Sequence, residues 1–171
     1  MKKMPYIIAF FFFIIDLVSK QLITHFLKLS DSIKVINNFF YITYVQNKGA
    51  AWSILEDQRI LLLIISVLAL FLINKFMNKE EINKIESISY GMIIGGIIGN
   101  LFDRIIYSYV IDFLDFRIFG YHYPVFNLAD SFIVIGIIMM IILTIRKEYH
   151  ERKLKKRSGN RSKDAGSRSA V

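Results

Sequence analysis

Three apolar runs in this chain carry polar residues at helical spacing. Asp16 and Lys20 stand four apart; Asn100, Asp103 and Arg104 stand at i, i+3 and i+4; Asn127 and Asp130 stand three apart. Each set therefore shares one helix face. Asp112 and Asp115 follow the second set in "VIDFLDF". A carboxylate near mid-bilayer costs about 2.5–3.5 kcal/mol on insertion scales, so such groups turn towards partner helices or a wet cavity. Two carboxylates at one site do not both ionise cheaply. They share a proton, so one serves as base and the other as acid. Such a pair can activate a water against an amide and protonate the leaving nitrogen, a contribution of roughly 10²–10⁴-fold.

Other chemistries are poorly supplied. The chain has no cysteine, which excludes disulfides, thiolate metal sites and a cysteine nucleophile. His25, His122 and His150 are scattered without ligand spacing. Ser19 and Lys20 are adjacent, so they point to different helix faces and make a poor serine–lysine dyad. No metal or cofactor is expected.

The elements that must hold these residues are membrane helices. Of 171 residues, 54% are hydrophobic, above the roughly 45–50% of a soluble domain. Four windows reach spanning length, at about 4–27, 60–76, 88–107 and 126–145. Lys2 and Lys3 before the first window resemble a signal peptide, but no small-residue cleavage site follows. An uncleaved span is expected. With the N-terminus inside, fifteen Lys and Arg fall in inner segments and five in outer loops. Both termini are therefore expected to be cytoplasmic. On that orientation all three polar sets, from separate spans, lie in the outer half of the membrane.

Between spans one and two, Phe40, Ile42 and Tyr44 alternate with Tyr41, Thr43 and Val45, which predicts strand at about 35–47. "NKG" then predicts a turn. A small sheet on the outer membrane face is expected. The second outer loop, 108–125, reads as irregular and aromatic. Residues 1–147 form the membrane domain. The polar, basic segment 148–171 reads as a disordered cytoplasmic tail with weak attraction to anionic lipid. It holds most of the net charge of +8, which a membrane anchor explains without nucleic acid.

Blander readings exist for each set. Asp16 and Lys20 suit a local ion pair. Asn127 suits a helix cap, with Asp130 favoured by the helix dipole. Asp103 and Arg104 suit the interface, and Gly91, Gly95 and Gly99 suit close helix packing. A small transporter or proton channel would also place Asp, Lys and Arg inside spans, but no internal repeat is present. A scaffold subunit would tolerate loss of a carboxylate.

The ordered blocks "DLVSK", "NKGAAW", "GGIIGNLFDR", "IDF" and "FNLADS" together resemble bacterial lipoprotein signal peptidase, the type II signal peptidase. The resemblance covers the whole membrane domain. It implies an α-helical integral membrane protein with four transmembrane helices and an outer-face β-cradle, in the bacterial cytoplasmic membrane. It implies an aspartic endopeptidase that cuts diacylglyceryl-modified prolipoproteins just before the lipidated cysteine, and inhibition by the cyclic peptide globomycin. The catalytic pair it implies is Asp112 and Asp130. Asp16, Lys20, Asn47, Gly49, Asn100, Asp103, Arg104 and Asn127 match positions that line or support the site. Among these, Arg104 suits an ion pair with Asp103 or a contact to a substrate carbonyl. Departures are small: Trp52 stands where Phe is usual, an Ile of "GGIIGN" where Ala is frequent, and Ile111 precedes Asp112 where Val is common.

Overall fold

The computed structural model describes residues 3–49, 54–77 and 82–168. Helix α1 (Met4–Phe26) leads into strands β1 (Ser32–Ile36) and β2 (Phe40–Asn47). Helices α2 (Arg59–Met77) and α3 (Lys84–Ile106) follow, then β3 (Val110–Ile118), β4 (Tyr121–His122) and α4 (Leu128–Arg168). Four of these helices contain stretches long and apolar enough to cross a membrane.

Helix α3 is the centre of the bundle. It is 56% buried along its span, against 17% for α1 and 11% for α2 and α4. Glycine makes this possible. A Cβ on Gly95 would lie 2.6 Å from the Ala9 carbonyl oxygen of α1, and one on Gly96 would collide with the Ala129 carbonyl of α4. Neither obstacle is a side chain that could swing away, so both neighbours approach α3 only because these positions lack a side chain. The start of α3 is set by a reciprocal cap: Glu86 N–H donates to Asn83 at 2.9 Å, and Asn83 N–H donates to Glu86 at 2.9 Å. The apolar residues left outside, such as Phe10, Ile64, Phe71 and Ile138, are exposed, as lipid-facing positions should be.

The four strands form one antiparallel sheet in the order β1-β2-β3-β4. It sits where α1 and α3 end and α2 and α4 begin. The expected strand at 35–47 resolves into a hairpin beginning at Ser32. The second outer loop is not irregular, as the sequence suggests, because β3 and β4 occupy most of it. The alternation that signals strand is absent there for a physical reason. Residues 110–113 are buried on both faces, and such strands lose the apolar–polar pattern. Phe119 and Gly120 join β3 to β4 with φ of 51° and 80°, the twist a two-residue hairpin requires.

The backbone of helix α4 runs on through the basic segment to Arg168. Lys, Arg and Glu are good helix formers, and Glu148 and Arg152 pair at i, i+4 with 3.4 Å between them. Within "NKGAAW", Ala50, Ala51 and Trp52 lie outside the described residues.

Candidate functional site

The first turn of α4 organises the site. Phe126 bridges to β3, accepting from Phe113 N–H at 2.9 Å and Leu114 N–H at 2.7 Å. The chain then turns into the helix at Asn127, which is wholly buried. Asn127 Oδ1 accepts from Asp130 N–H at 2.9 Å, and Asp130 Oδ2 accepts from Asn127 N–H at 3.3 Å. This is a capping box in which the third residue of the box is Asp130. The Asn127 amide also donates to Asp112 Oδ1 at 2.7 Å, Asn100 Oδ1 at 3.0 Å and the Ile111 carbonyl at 3.3 Å. One side chain thus touches the β3 carboxylate and caps the helix that carries the other.

Each carboxylate has a second amide donor. Asn47 of β2 donates to Asp112 Oδ2 at 2.8 Å, and its own carbonyl accepts from Gly49 N–H at 2.9 Å. Asn100 of α3 donates to Asp130 Oδ1 at 2.7 Å. Arg104 donates to the Gly49 carbonyl at 2.9 Å and to the Asn100 carbonyl at 3.4 Å. The expected pairing of Arg104 with Asp103 does not occur. Asp103 and Arg104 flank Asn100 on its face but diverge from each other by about 100°, and Asp103 instead pairs with Lys20 at 2.9 Å.

Lys20 also pairs with Asp16 at 2.7 Å and donates to Asn100 Oδ1 at 3.1 Å. The local ion pair read from i, i+4 spacing is therefore part of a junction between α1 and α3. Its two carboxylates reach further. Asp16 accepts from Ala129 N–H of α4 at 2.9 Å, and Asp103 accepts from Ile111 N–H at 3.1 Å. Each backbone group that they hold is next in sequence to one of the two cavity carboxylates.

Asp112 and Asp130 line one cavity of about 200 Å³ with Asn47, Asn100, Arg104, Val110 and residues 124–126. A larger cavity of about 320 Å³ lies between Glu86 and Tyr90 of α3 and Thr144 of α4, and none of the candidate residues lines it. Asp115, three residues along β3, faces the other side of the sheet. There it accepts from Thr43 at 2.9 Å and pairs at 3.2 Å with Arg117, whose guanidinium lies 3.8 Å over the Tyr41 ring.

Burial, and then the charge of Asp130, push the Asp112 carboxyl from 3.8 up to about 7, against the donors Asn47 and Asn127. The sign of the linkage follows. A carboxyl whose folded value is raised contributes stability fully below its unfolded value, and that contribution is lost as pH rises through about 7. The thermal unfolding temperature in detergent should therefore fall between about pH 5 and pH 8, and fall less in Asp112→Asn. Equal falls in the two proteins would contradict this placement of charge.

The sequence-predicted residues Asp16, Lys20, Asn47, Gly49, Asn100, Asp103, Arg104, Asp112, Asn127 and Asp130 are all brought to this end of the bundle. Sequence reasoning misses the backbone groups of Ile111, Phe126 and Ala129. Backbone donors and acceptors have no residue-type signature, so only the fold reveals them.

Known proteins resemble this chain over most of its length. Residues 8–146 match the family described as Signal peptidase (SPase) II. The chain is 41% identical over 145 residues to the lipoprotein signal peptidase of Halothermothrix orenii, spanning 85% of this chain and 97% of that relative. Two solved bacterial membrane enzyme structures, both obtained by the in meso method, are similar throughout. One has 36% identity and a TM-score of 0.78 over 84% of this chain and 88% of its own. The other has 38% identity and a TM-score of 0.74 over 82% and 91%.

Proposed function

Because this chain belongs to the signal peptidase II family, we propose that it is an aspartic endopeptidase acting on diacylglyceryl-modified prolipoproteins. It is a multi-pass membrane peptidase. It removes the signal peptide by cutting just before the lipidated cysteine. The observation that carries this reading is the meeting of Asp112 from β3 and Asp130 from α4 at one cavity, with Asn127 touching both. Both termini are cytoplasmic, by the distribution of Lys and Arg, so the cavity opens in the outer half of the bacterial cytoplasmic membrane. That is the depth at which a diacylglyceryl-cysteine can stay in lipid while its peptide bond enters.

The chemistry follows from the pair. A water between the carboxylates attacks the scissile carbonyl carbon. One carboxylate takes the water's proton, and the protonated partner gives its proton to the cysteine nitrogen as the C–N bond breaks. A single shared proton is natural where the Asp112 carboxyl is pushed up to about 7. Arg104 and Asn47, on the cavity wall, suit the substrate backbone. A transporter reading gains nothing from the geometry. The buried serines at the other end of α3, Ser87 and Ser89, donate only to carbonyls of Asn83 and Ile85, one turn back.

The test is a gel assay with a prolipoprotein in lipid vesicles, with and without its diacylglyceryl group. Only the lipidated form should shorten, and globomycin should block it. Asp115→Asn should keep activity within a few-fold of wild type, since Asp115 is engaged on the opposite sheet face. Equal cutting of the unlipidated form would overturn the substrate assignment.

A further inference from the structure

Lys20 has no contact with the cavity, yet the hydrogen bonds that hold Asp130 lead back to it. Its ammonium is about 1% exposed and lies within 2.7–3.1 Å of Asp16, Asp103 and Asn100. The contact with Asn100 determines which way that amide faces. Asn100 Oδ1 accepts from Lys20 at 3.1 Å and from Asn127 at 3.0 Å, so only its NH₂ is left for Asp130 Oδ1, at 2.7 Å. Turned over, Asn100 would set its NH₂ against two donors, one of them charged, and its carbonyl oxygen against a carboxylate. The charged donor is the stronger of the two that prevent this.

We infer that Lys20 is a positioning residue for the proposed reaction: through Asn100 it fixes the amide orientation that holds Asp130 ready as a carboxylate. A second route runs in parallel. Lys20 holds Asp16, and Asp16 accepts from Ala129 N–H, one residue before Asp130. Gly99 leaves room for this, because a Cβ there would strike the Asp16 carboxylate. The other charged groups facing Asp130 are Arg104 from α3 and Asp112 from β3. Neither touches the Asn100 side chain.

This inference rests on the Asp-pair reading but has its own test. The acid limb of kcat/KM reports ionisation of the pair. Asn100→Ala removes the relay while leaving the ion pairs of Lys20 with Asp16 and Asp103. Lys20→Gln removes the charge. Each should move the acid limb to higher pH by roughly one unit and lower kcat at neutral pH on the order of tenfold. KM should stay within about twofold for Lys20→Gln, because Lys20 does not line the cavity. The double variant should shift by less than the sum of the two single shifts, since both substitutions break the Asn100 chain and only the Asp16 route is left for Lys20→Gln to disturb.

An unmoved limb in folded Asn100→Ala would overturn the inference even if Lys20→Gln fails to fold. Shifts that simply add in the double variant would also overturn it. The Asp-pair reading fails separately, if Asp112→Asn or Asp130→Asn remains active.

Discussion

Asp112→Asn and Asp130→Asn should each reduce cleavage of a lipidated prolipoprotein to background while leaving a folded protein in the membrane. The loss should be large because each carboxylate carries one of the two proton transfers, and general acid or base help alone is worth roughly 10²–10⁴-fold. An amide at either position can neither take a proton from water nor pass one to the leaving nitrogen. The fold should survive because the helices are held elsewhere, by the glycine contacts of α3 and the Lys20 junction. Asp112→Asn keeps the shape of the side chain. It can accept from only one of the two amides, Asn47 and Asn127, that now donate to Asp112. Its other end must face a donor, a local cost in a site open to a cavity of about 200 Å³. The check is the ratio of mature to precursor bands over time, at matched membrane levels and matched unfolding temperatures. Turnover within about tenfold of wild type by either variant would remove that carboxylate from the mechanism.

The parts of this molecule that could be read in its sequence are those that lipid penalises. Apolar windows of spanning length are conspicuous because nothing else crosses a bilayer so simply. Asp16, Lys20, Asp103 and Asp130 stand out because charge inside such windows is costly. The partners of these groups could not be read. Nothing in the spacing links Asp16 to Ala129, 113 residues later, or Lys20 to Asn100, 80 residues later. The pairing of Asp112 with Asp130 is equally hidden, since one lies on a strand, the other on a helix, and a hairpin intervenes. Family resemblance suggested that pair, whereas periodicity only placed carboxylates in a common layer.

The strand that carries Asp112 illustrates the limit further. Its buried carboxylates sit at positions 112 and 115, on opposite faces, so neither face reads as apolar. Asp103 compensates by accepting from Ile111 N–H, which anchors the start of the strand to α3. A helix face and a strand start are thus fixed by one side chain that the sequence shows only as an acid beside an arginine.

Asn127 offers the sharpest separation of scaffold from chemistry, because its two ends do different work. Its carbonyl oxygen caps α4 through Asp130 N–H, and its amide nitrogen reaches Asp112 and Asn100. Asn127→Ser should keep the cap, since serine is as good an N-cap as asparagine, but its single hydroxyl is too short to reach Asp112 as well. Asn127→Ala should lose both functions, and the missing cap should cost about 0.5–2 kcal/mol of stability. We expect both variants to lose on the order of 10²-fold or more in cleavage, comparable with losing one well-placed donor in an active site. Only Asn127→Ala should also show a clearly lowered unfolding temperature. The measurements are kcat with a lipidated prolipoprotein and thermal unfolding in detergent on the same preparations. If Asn127→Ser turned over like wild type, the contact with Asp112 would have no part in catalysis, and Asn127 would be a helix cap alone. If the activities of the two variants instead tracked their stabilities, the carboxylates would depend on the helix end and not on the amide that joins them.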